Sequence, residues 1–169
     1  MGRHTVSILV QNQPGVLSRV SGLFSRRGFN IDSLAVGPTH DENLSRITVT
    51  VHGDAALVDQ MVQQIYKLIC VQKVLVLEAG QAVERQLVLV KVLADAATRD
   101  AVMRIVDIFR ARIVDVTRAT LTVEITGEDE KANALIGLLS DYGIVELVRT
   151  GTVALQRGES DITRSAQRL

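Results

Sequence analysis

The same order of predicted strands and helices occurs twice along the chain, and this repetition limits its possible folds more than any other feature. Residues 4–10 predict a strand that places Val6, Ile8 and Val10 on one face. Pro14 then opens an apolar stripe at helical spacing, and Gly28 ends it as a predicted left-handed cap. Two strands, a helix that follows the N-cap Asp54, and a fourth strand complete the first half.

The second half repeats this order, β-α-β-β-α-β. In the first half the later predicted elements are strands 31–36, 47–51 and 71–77 and helix 57–68. In the second half they are strands 86–93, 113–116, 121–125 and 144–155, a helix that begins after Thr98, and a helix over 128–142 that ends at Gly143. The sequence therefore predicts an α+β fold of two ferredoxin-like βαββαβ domains in tandem.

The domain boundaries follow from the same pattern. We predict a first domain over residues 1–78, a linker over 79–84, a second domain over 85–158 and a flexible tail over 159–169.

A four-stranded sheet of this type packs its helices on one face, so its other face must either be covered by protein or be exposed to water. Domains of roughly 75 residues also bury a limited core. We therefore expect a homodimer or a higher homo-oligomer.

Composition excludes several classes of protein. Lys and Arg total 19, as do Asp and Glu, so the basic surface of a typical nucleic-acid-binding protein is absent. The single cysteine cannot form an intrachain disulfide, which fits a reducing compartment. The start of the chain contains no secretion signal, and no apolar run is long enough for a membrane span. These features predict a cytoplasmic protein that contacts neither nucleic acid nor membrane. The three histidines are scattered and predict no metal site.

The most informative local segment joins the first strand to the first helix. Pro14 and Gly15 stand at this junction, where the first N–H groups of the helix have no intrahelical acceptor and favour a carboxylate. Asn12 lies just before the junction and Asn30 lies just past Gly28, and each side-chain amide can both donate and accept. This pattern suggests a site for a small amino acid without a catalytic group. The alternative is that these are ordinary turn residues, since Asn and Gly are common in turns.

This junction resembles the opening of an ACT domain, an amino-acid-sensing module with the ferredoxin-like fold. The resemblance is carried by the segments 12–17 and 24–31. It extends to the small, regulatory subunit of acetolactate synthase (acetohydroxyacid synthase) through the segments 28–39, 44–49, 87–92, 108–111, 113–116 and 151–158. The resemblance covers essentially residues 4–158.

The resemblance implies a regulatory subunit with no catalytic residue and no cofactor of its own. The partner would be a large catalytic subunit that carries thiamine diphosphate, Mg and FAD and condenses pyruvate with a second 2-oxo acid. The small subunit would activate it and confer feedback inhibition by valine, or another branched-chain amino acid, bound between two paired ACT domains. The positions that match the effector-binding motif are Asn12, Gly15, Val16, Leu17, Asn30 and Ile31.

Other functions remain open as alternatives. One is an ACT-domain amino-acid sensor that regulates a different enzyme. An RNA-binding module shares this strand order, but it needs stacking aromatic residues on the sheet and a basic surface. A transcription factor would need a helix-turn-helix, for which no residues are left. A stand-alone enzyme is disfavoured because no nucleophile and base occur in a recognisable arrangement.

Overall fold

The computed structural model describes residues 2–163, and these residues form two compact units. Within that range the first unit comprises residues 2–83 and 152–163, and the second comprises residues 84–151. The first unit contains β1 (Gly2–Gln11), α1 (Val16–Arg27), β2 (Ser33–Pro38), β3 (Leu44–Gly53), α2 (Ala55–Tyr66) and β4 (Val71–Leu77).

The first unit has the predicted strand order of a ferredoxin-like domain. Its four strands are antiparallel neighbours in the order β2-β3-β1-β4. Alternate residues of β1 and β3 point toward the helices, and Ile8 is paired with Ile47 in this core. Both side chains are fully buried, as are those of Val6 and Val49. Burial of these branched side chains against α1 and α2 holds the helices to one face of the sheet.

Two predicted helix boundaries are confirmed by their hydrogen bonds. Gly28 has a φ of 68°, and the N–H of Phe29 donates to the carbonyl of Phe24 at 3.1 Å, which closes the end of α1. At the start of α2, the carboxylate of Asp54 accepts from the N–H of Leu57 at 2.8 Å. The start of α1 differs from the prediction, because the helix begins at Val16 rather than at Pro14.

The second unit repeats the architecture. It contains most of β5 (Ala82–Leu93), together with α3 (Arg99–Ile108), β6 (Arg112–Val116), β7 (Thr120–Gly127), α4 (Asp129–Ser140) and β8 (Ile144–Arg149). The strands follow the order β6-β7-β5-β8, so the apolar run predicted as a central strand is central. Val88, Val90 and Val92 of β5 are fully buried beneath α3 and α4. The predicted α+β class with two ferredoxin-like domains is confirmed.

The predicted last strand over 144–155 is wrong as a single strand. It is divided into β8 and β9 (Val153–Gln156), with Gly151 between them at a φ of 81°. A positive φ at this position interrupts the extended backbone and favours glycine. β9 pairs with β5, and the N–H of Arg157 donates to the carbonyl of Gln81 at 2.8 Å.

The segments predicted as linker and tail are also more ordered than expected. β5 begins at Ala82 and passes through Glu84, so the predicted linker over 79–84 ends inside a strand. In the segment predicted as a tail, Ile162 is buried with 4% of its surface exposed. An apolar side chain with this burial is part of a packed structure. Residues 164–169 of the predicted tail lie outside the described residues.

Candidate effector site at the start of helix α1

The loop from Asn12 to Gly15 connects β1 to α1 and contains the predicted site. Gly15 is the residue before the helix and has a φ of 83° and a ψ of −5°. L-amino acids with a side chain rarely adopt this left-handed conformation, so the backbone itself explains the glycine. A Cβ built on Gly15 would have no heavy atom within 4 Å, so the space beside the backbone is open.

The first turn of α1 leaves backbone donors unused. The N–H of Val16 donates to the carbonyl of Gln13 at 3.3 Å, and the first bond within the helix joins the N–H of Arg19 to the carbonyl of Gly15. Between them, the N–H groups of Leu17 and Ser18 have no acceptor within residues 2–163. Both residues are exposed, so these two donors can reach a ligand.

The charge around this helix start also favours an anion. The first turn of α1 contains no acidic residue, and no side chain caps it. Among the four helices of the described range, α2 is capped by Asp54, and α3 and α4 have acidic residues in their first turns. The first turn of α1 therefore supplies no carboxylate to the positive end of its own dipole, and this end is suited to a carboxylate from a ligand.

The corresponding loop of the second unit already contains a carboxylate. Asp95 accepts hydrogen bonds from the hydroxyl of Thr98 at 2.9 Å and from the N–H groups of Thr98 and Ala97 at 3.0 Å each. The bonds from Thr98, followed by the one from Ala97, hold the pKa of Asp95 below its ordinary value. The free anion-binding arrangement therefore occurs at α1 and not at α3.

Asn12 has a structural role that the sequence did not reveal. Its side-chain N–H donates to the carbonyl of Glu42 at 2.8 Å, and its side-chain oxygen accepts from the hydroxyl of Ser45 at 3.0 Å. Its backbone N–H donates to the carbonyl of Asn43 at 2.7 Å. These bonds fasten the loop before α1 to the β2–β3 connection. Asn12 thus fixes the position of the loop, and only a remaining N–H of its amide is available to a ligand.

The six predicted site residues do not all come together within one chain. Val16 is buried in the core, whereas Leu17 beside it is 44% exposed. Asn30 and Ile31 lie at the other end of α1, which has 12 residues and is about 18 Å long. Asn30 is exposed, and its side chain makes no hydrogen bond within the described residues. Ile31 packs against the core of the first unit.

The histidines and acidic residues of the described chain do not form a metal cluster. Residues 2–163 contain no group of three or more His, Cys, Asp or Glu side chains that would hold a metal ion. His52 and Asp32 form a close pair at 2.5 Å, and a ring nitrogen of His4 lies 3.3 Å from the carbonyl of Gly53. No helix in this part of the chain has the length and apolar character that a membrane span requires.

Comparison with known proteins agrees with this architecture. Residues 6–73 match the family described as the AHAS small subunit-like ACT domain, and residues 85–158 match the family described as the small subunit of acetolactate synthase. The chain is 49% identical to the probable acetolactate synthase small subunit of Archaeoglobus fulgidus, over 92% of this chain and 98% of that protein. It is 48% identical to the acetolactate synthase small subunit of Mycolicibacterium smegmatis, over 94% of each chain.

A solved structure matches the whole architecture. The crystal structure of the acetolactate synthase small subunit from Thermotoga maritima superposes with a TM-score of 0.87 at 41% identity, covering 95% of this chain and all of that one. The fold of the first unit and its match to this family over residues 6–73 identify it as an ACT domain. The chain as a whole belongs to the family of acetolactate synthase small subunits, and this membership supports a regulatory role.

Proposed function

We propose that this chain binds a branched-chain amino acid, with valine as the first candidate, and thereby inhibits a large catalytic subunit that it otherwise activates. The observation that carries the proposal is the start of α1, where the N–H groups of Leu17 and Ser18 have no acceptor within residues 2–163 and the first turn contains no acidic residue. These donors match the carboxylate of a free amino acid. The open space beside Gly15 allows the ligand to approach the backbone.

The ligand's ammonium group needs a second contact, and Asn30 supplies a free side-chain amide. β1 runs from Gly2 to Gln11, α1 returns along the sheet, and Ser33 at the start of β2 pairs with Thr50 near the end of β3. Gly15 and Asn30 therefore lie at opposite ends of the sheet. A twofold axis perpendicular to the strands would set Gly15 of one copy beside Asn30 of another. We propose that each effector site is shared in this way by two copies.

The proposed affinity fits a metabolite sensor. Valine has eight heavy atoms, and an intermediate ligand efficiency gives a binding free energy of roughly −5 to −7 kcal/mol, or a Kd of about 10 to 200 μM. A coupling free energy of about 1–3 kcal/mol between this site and the catalytic subunit would change the partner's behaviour several-fold to over a hundredfold. Thiamine diphosphate, Mg²⁺ and FAD would belong to that subunit, and the complex would act in the cytoplasm.

Reconstitution tests this proposal. The purified chain is mixed with the catalytic subunit of the same organism, and acetolactate formation from pyruvate is measured with thiamine diphosphate, Mg²⁺ and FAD present. We expect the chain to raise the rate, and valine to lower it with half-inhibition at micromolar concentration. The chain alone should form no acetolactate. A complex that forms but ignores valine, leucine and isoleucine would refute the effector assignment, and a chain that fails to associate would refute the partner.

A further inference from the structure

The side of the first sheet that faces away from the helices carries hydroxyl side chains. Thr5 and Ser7 of β1 and Thr48 and Thr50 of β3 form this surface, which we call the hydroxyl face. The sequence predicts that these residues are covered or wetted, and all four are buried, with at most 4% of their surface exposed. The hydroxyl of Ser7 is fully buried and has no hydrogen-bond partner within residues 2–163.

Residues 152–163, here called the cover segment, are bonded to this face. The N–H of Thr152 donates to the hydroxyl of Ser33 at 3.2 Å, and Ser33 in turn is hydrogen-bonded to Thr50 at 2.7 Å. A guanidinium N–H of Arg3 donates to the Thr152 hydroxyl at 2.9 Å. These contacts hold the beginning of the cover segment at the edge of the hydroxyl face.

A second anchor is Arg46, which lies on the same side of β3 as Thr48. Its guanidinium donates to the carbonyl of Ala154 at 3.4 Å. Burial lowers the pKa of Arg46, and the charge of Asp161 acts in the opposite direction. The cover segment therefore supplies both a carbonyl and a carboxylate to the same arginine.

The cover segment alternates like a strand that touches the sheet on one side. Thr152 and Ala154 are each 4% exposed, whereas Val153 and Leu155 are 53% and 60% exposed. The inward side chains are small, and the contacts to Ser33 and Arg46 are made by backbone N–H and C=O groups. Recognition of the backbone rather than of large side chains suits any extended segment with small inward residues.

We propose that the hydroxyl face docks an extended segment of the catalytic subunit, and that the cover segment occupies this face in the free chain and leaves it in the holoenzyme. The inference rests on the proposed function, because it requires the catalytic partner. A surface of hydroxyl groups can exchange one set of hydrogen bonds for another or for water, which an apolar core cannot do. Within residues 2–163 the hydroxyl of Ser7 has no hydrogen-bond partner, so the described part of the cover segment leaves this group of the face unsatisfied.

Hydrogen exchange of the full chain, with and without the catalytic subunit, tests this displacement. The N–H groups of Thr152 and Arg157 are bonded only while the cover segment is in place. We expect their exchange to become at least tenfold faster in the complex, while the N–H groups of Thr48 and Thr50 stay protected. If a complex forms and the cover segment remains protected, the displacement is wrong. If no complex forms, the proposed function fails, and the displacement fails with it.

A pair of variants tests competition. Ala154→Arg places a bulky charge on the inward side, and Leu155→Arg places the same charge on the outward side. Ala154→Arg should displace the cover segment and so raise the fraction of chains whose hydroxyl face is free to bind the catalytic subunit. We therefore expect this variant to bind that subunit several-fold more tightly, whereas Leu155→Arg should bind it as the unaltered chain does. Simple destabilisation would weaken binding instead, so weaker binding by Ala154→Arg alone would overturn the proposal.

A disulfide that holds the cover segment on the hydroxyl face tests the opposite change, in which displacement is prevented. This test does not depend on whether Ala154→Arg folds. Ser33 and Thr152 are in contact, so the double variant Ser33→Cys/Thr152→Cys should lock the cover segment in place when oxidised. We expect the oxidised form to bind the catalytic subunit at least tenfold more weakly, with recovery after reduction by dithiothreitol. Equal binding by the oxidised and reduced forms would overturn the proposal. Ser33→Cys alone is the control.

Discussion

The hydroxyl of Ser45 donates to the side-chain oxygen of Asn12 at 3.0 Å, across the gap between β3 and the loop before α1. With the bond from Asn12 to the carbonyl of Glu42, it fixes the loop that presents Gly15. Asn30, at the other end of α1, has no such bond within the described residues. The two asparagines of the predicted site therefore have different roles, and their variants should behave differently.

Asn12→Ala should destabilise the first unit and weaken the effector response together. The variant removes two side-chain hydrogen bonds, each worth about 1 kcal/mol, so the free energy of unfolding should fall by about 1–2 kcal/mol. Urea unfolding measures this loss, and valine titration of the reconstituted enzyme measures the response. An unchanged unfolding free energy would show that the bonds to Glu42 and Ser45 do not stabilise the loop.

Asn30→Ala should weaken valine binding and leave stability unchanged. Its side chain has no partner within residues 2–163, so the folded chain loses nothing when it is truncated. If the amide contacts the ligand, binding should weaken by about 1–3 kcal/mol. Calorimetric titration with valine tests the affinity, and urea unfolding provides the comparison. Unchanged affinity would remove Asn30 from the site.

Gly15→Asp should abolish the response to valine, and Gly15→Asn provides a matched control. Both variants place a side chain of nearly equal size on a backbone with a φ of 83°, and Asn and Asp tolerate this conformation better than most residues. Only Asp adds a negative charge where the ligand's carboxylate would bind. We expect Gly15→Asn to retain a reduced inhibition by valine and Gly15→Asp to retain none. Full inhibition of the Asp variant would falsify the proposed position of the carboxylate.

Asp54→Ala should destabilise the first unit by about 1 kcal/mol through loss of the α2 cap. The Asp54 carboxylate accepts from the N–H of Leu57, and that donor has no other acceptor at the helix start. Asp59→Ala, an exposed change within the same helix, is the control and should have little effect. Urea unfolding of both variants gives the change in unfolding free energy, and the comparison separates loss of the N-cap hydrogen bond from loss of a negative charge in general. Equal effects would contradict the capping role.

Asp95→Asn should alter stability in a pH-dependent manner without affecting valine inhibition. Hydrogen bonds from Thr98 and Ala97 lower the pKa of Asp95 in the folded chain, so its ionised form stabilises the fold above the unfolded pKa of about 3.9. This contribution is lost as the pH falls through the lower folded value. The variant should therefore be less stable than the unaltered chain at pH 6, with the difference shrinking toward pH 2. A difference that does not change with pH would argue against this role for the charge.

The periodicity of the sequence was sufficient to predict the order of the elements. The alternation in β1, the stripe of α1, and the signals at Asp54 and Gly28 all depend on local preferences that the structure retains. The division of the last strand was missed because Gly151 stands between two stretches that each resemble a strand, and nothing local distinguishes a tolerated glycine from one with a positive φ. The burial of Thr48 and Thr50 depends on residues far along the chain, so their alternation resembled that of a solvent-facing strand.

The candidate site could be predicted in part. The turn at Gly15 and the free helix start follow from Pro14-Gly15 and the absence of acidic residues in the first turn. The use of Asn12 could not be predicted, because its partners Glu42 and Ser45 are about 30 residues away and carry no signal that marks them as partners. The separation of Asn30 from Gly15 could have been predicted, because it follows from the length of α1 and the helical pattern of the sequence indicates that length.

The contact between Thr152 and Ser33 has a consequence for biosynthesis. The ribosome releases a chain from its N-terminus at about 5–20 residues per second, and early domains usually fold before later ones are made. Here the first unit includes residues 152–163, which leave the ribosome after the whole second unit. The hydrogen bonds between this segment and the sheet of the ACT domain can therefore form only after the whole second unit has been synthesised.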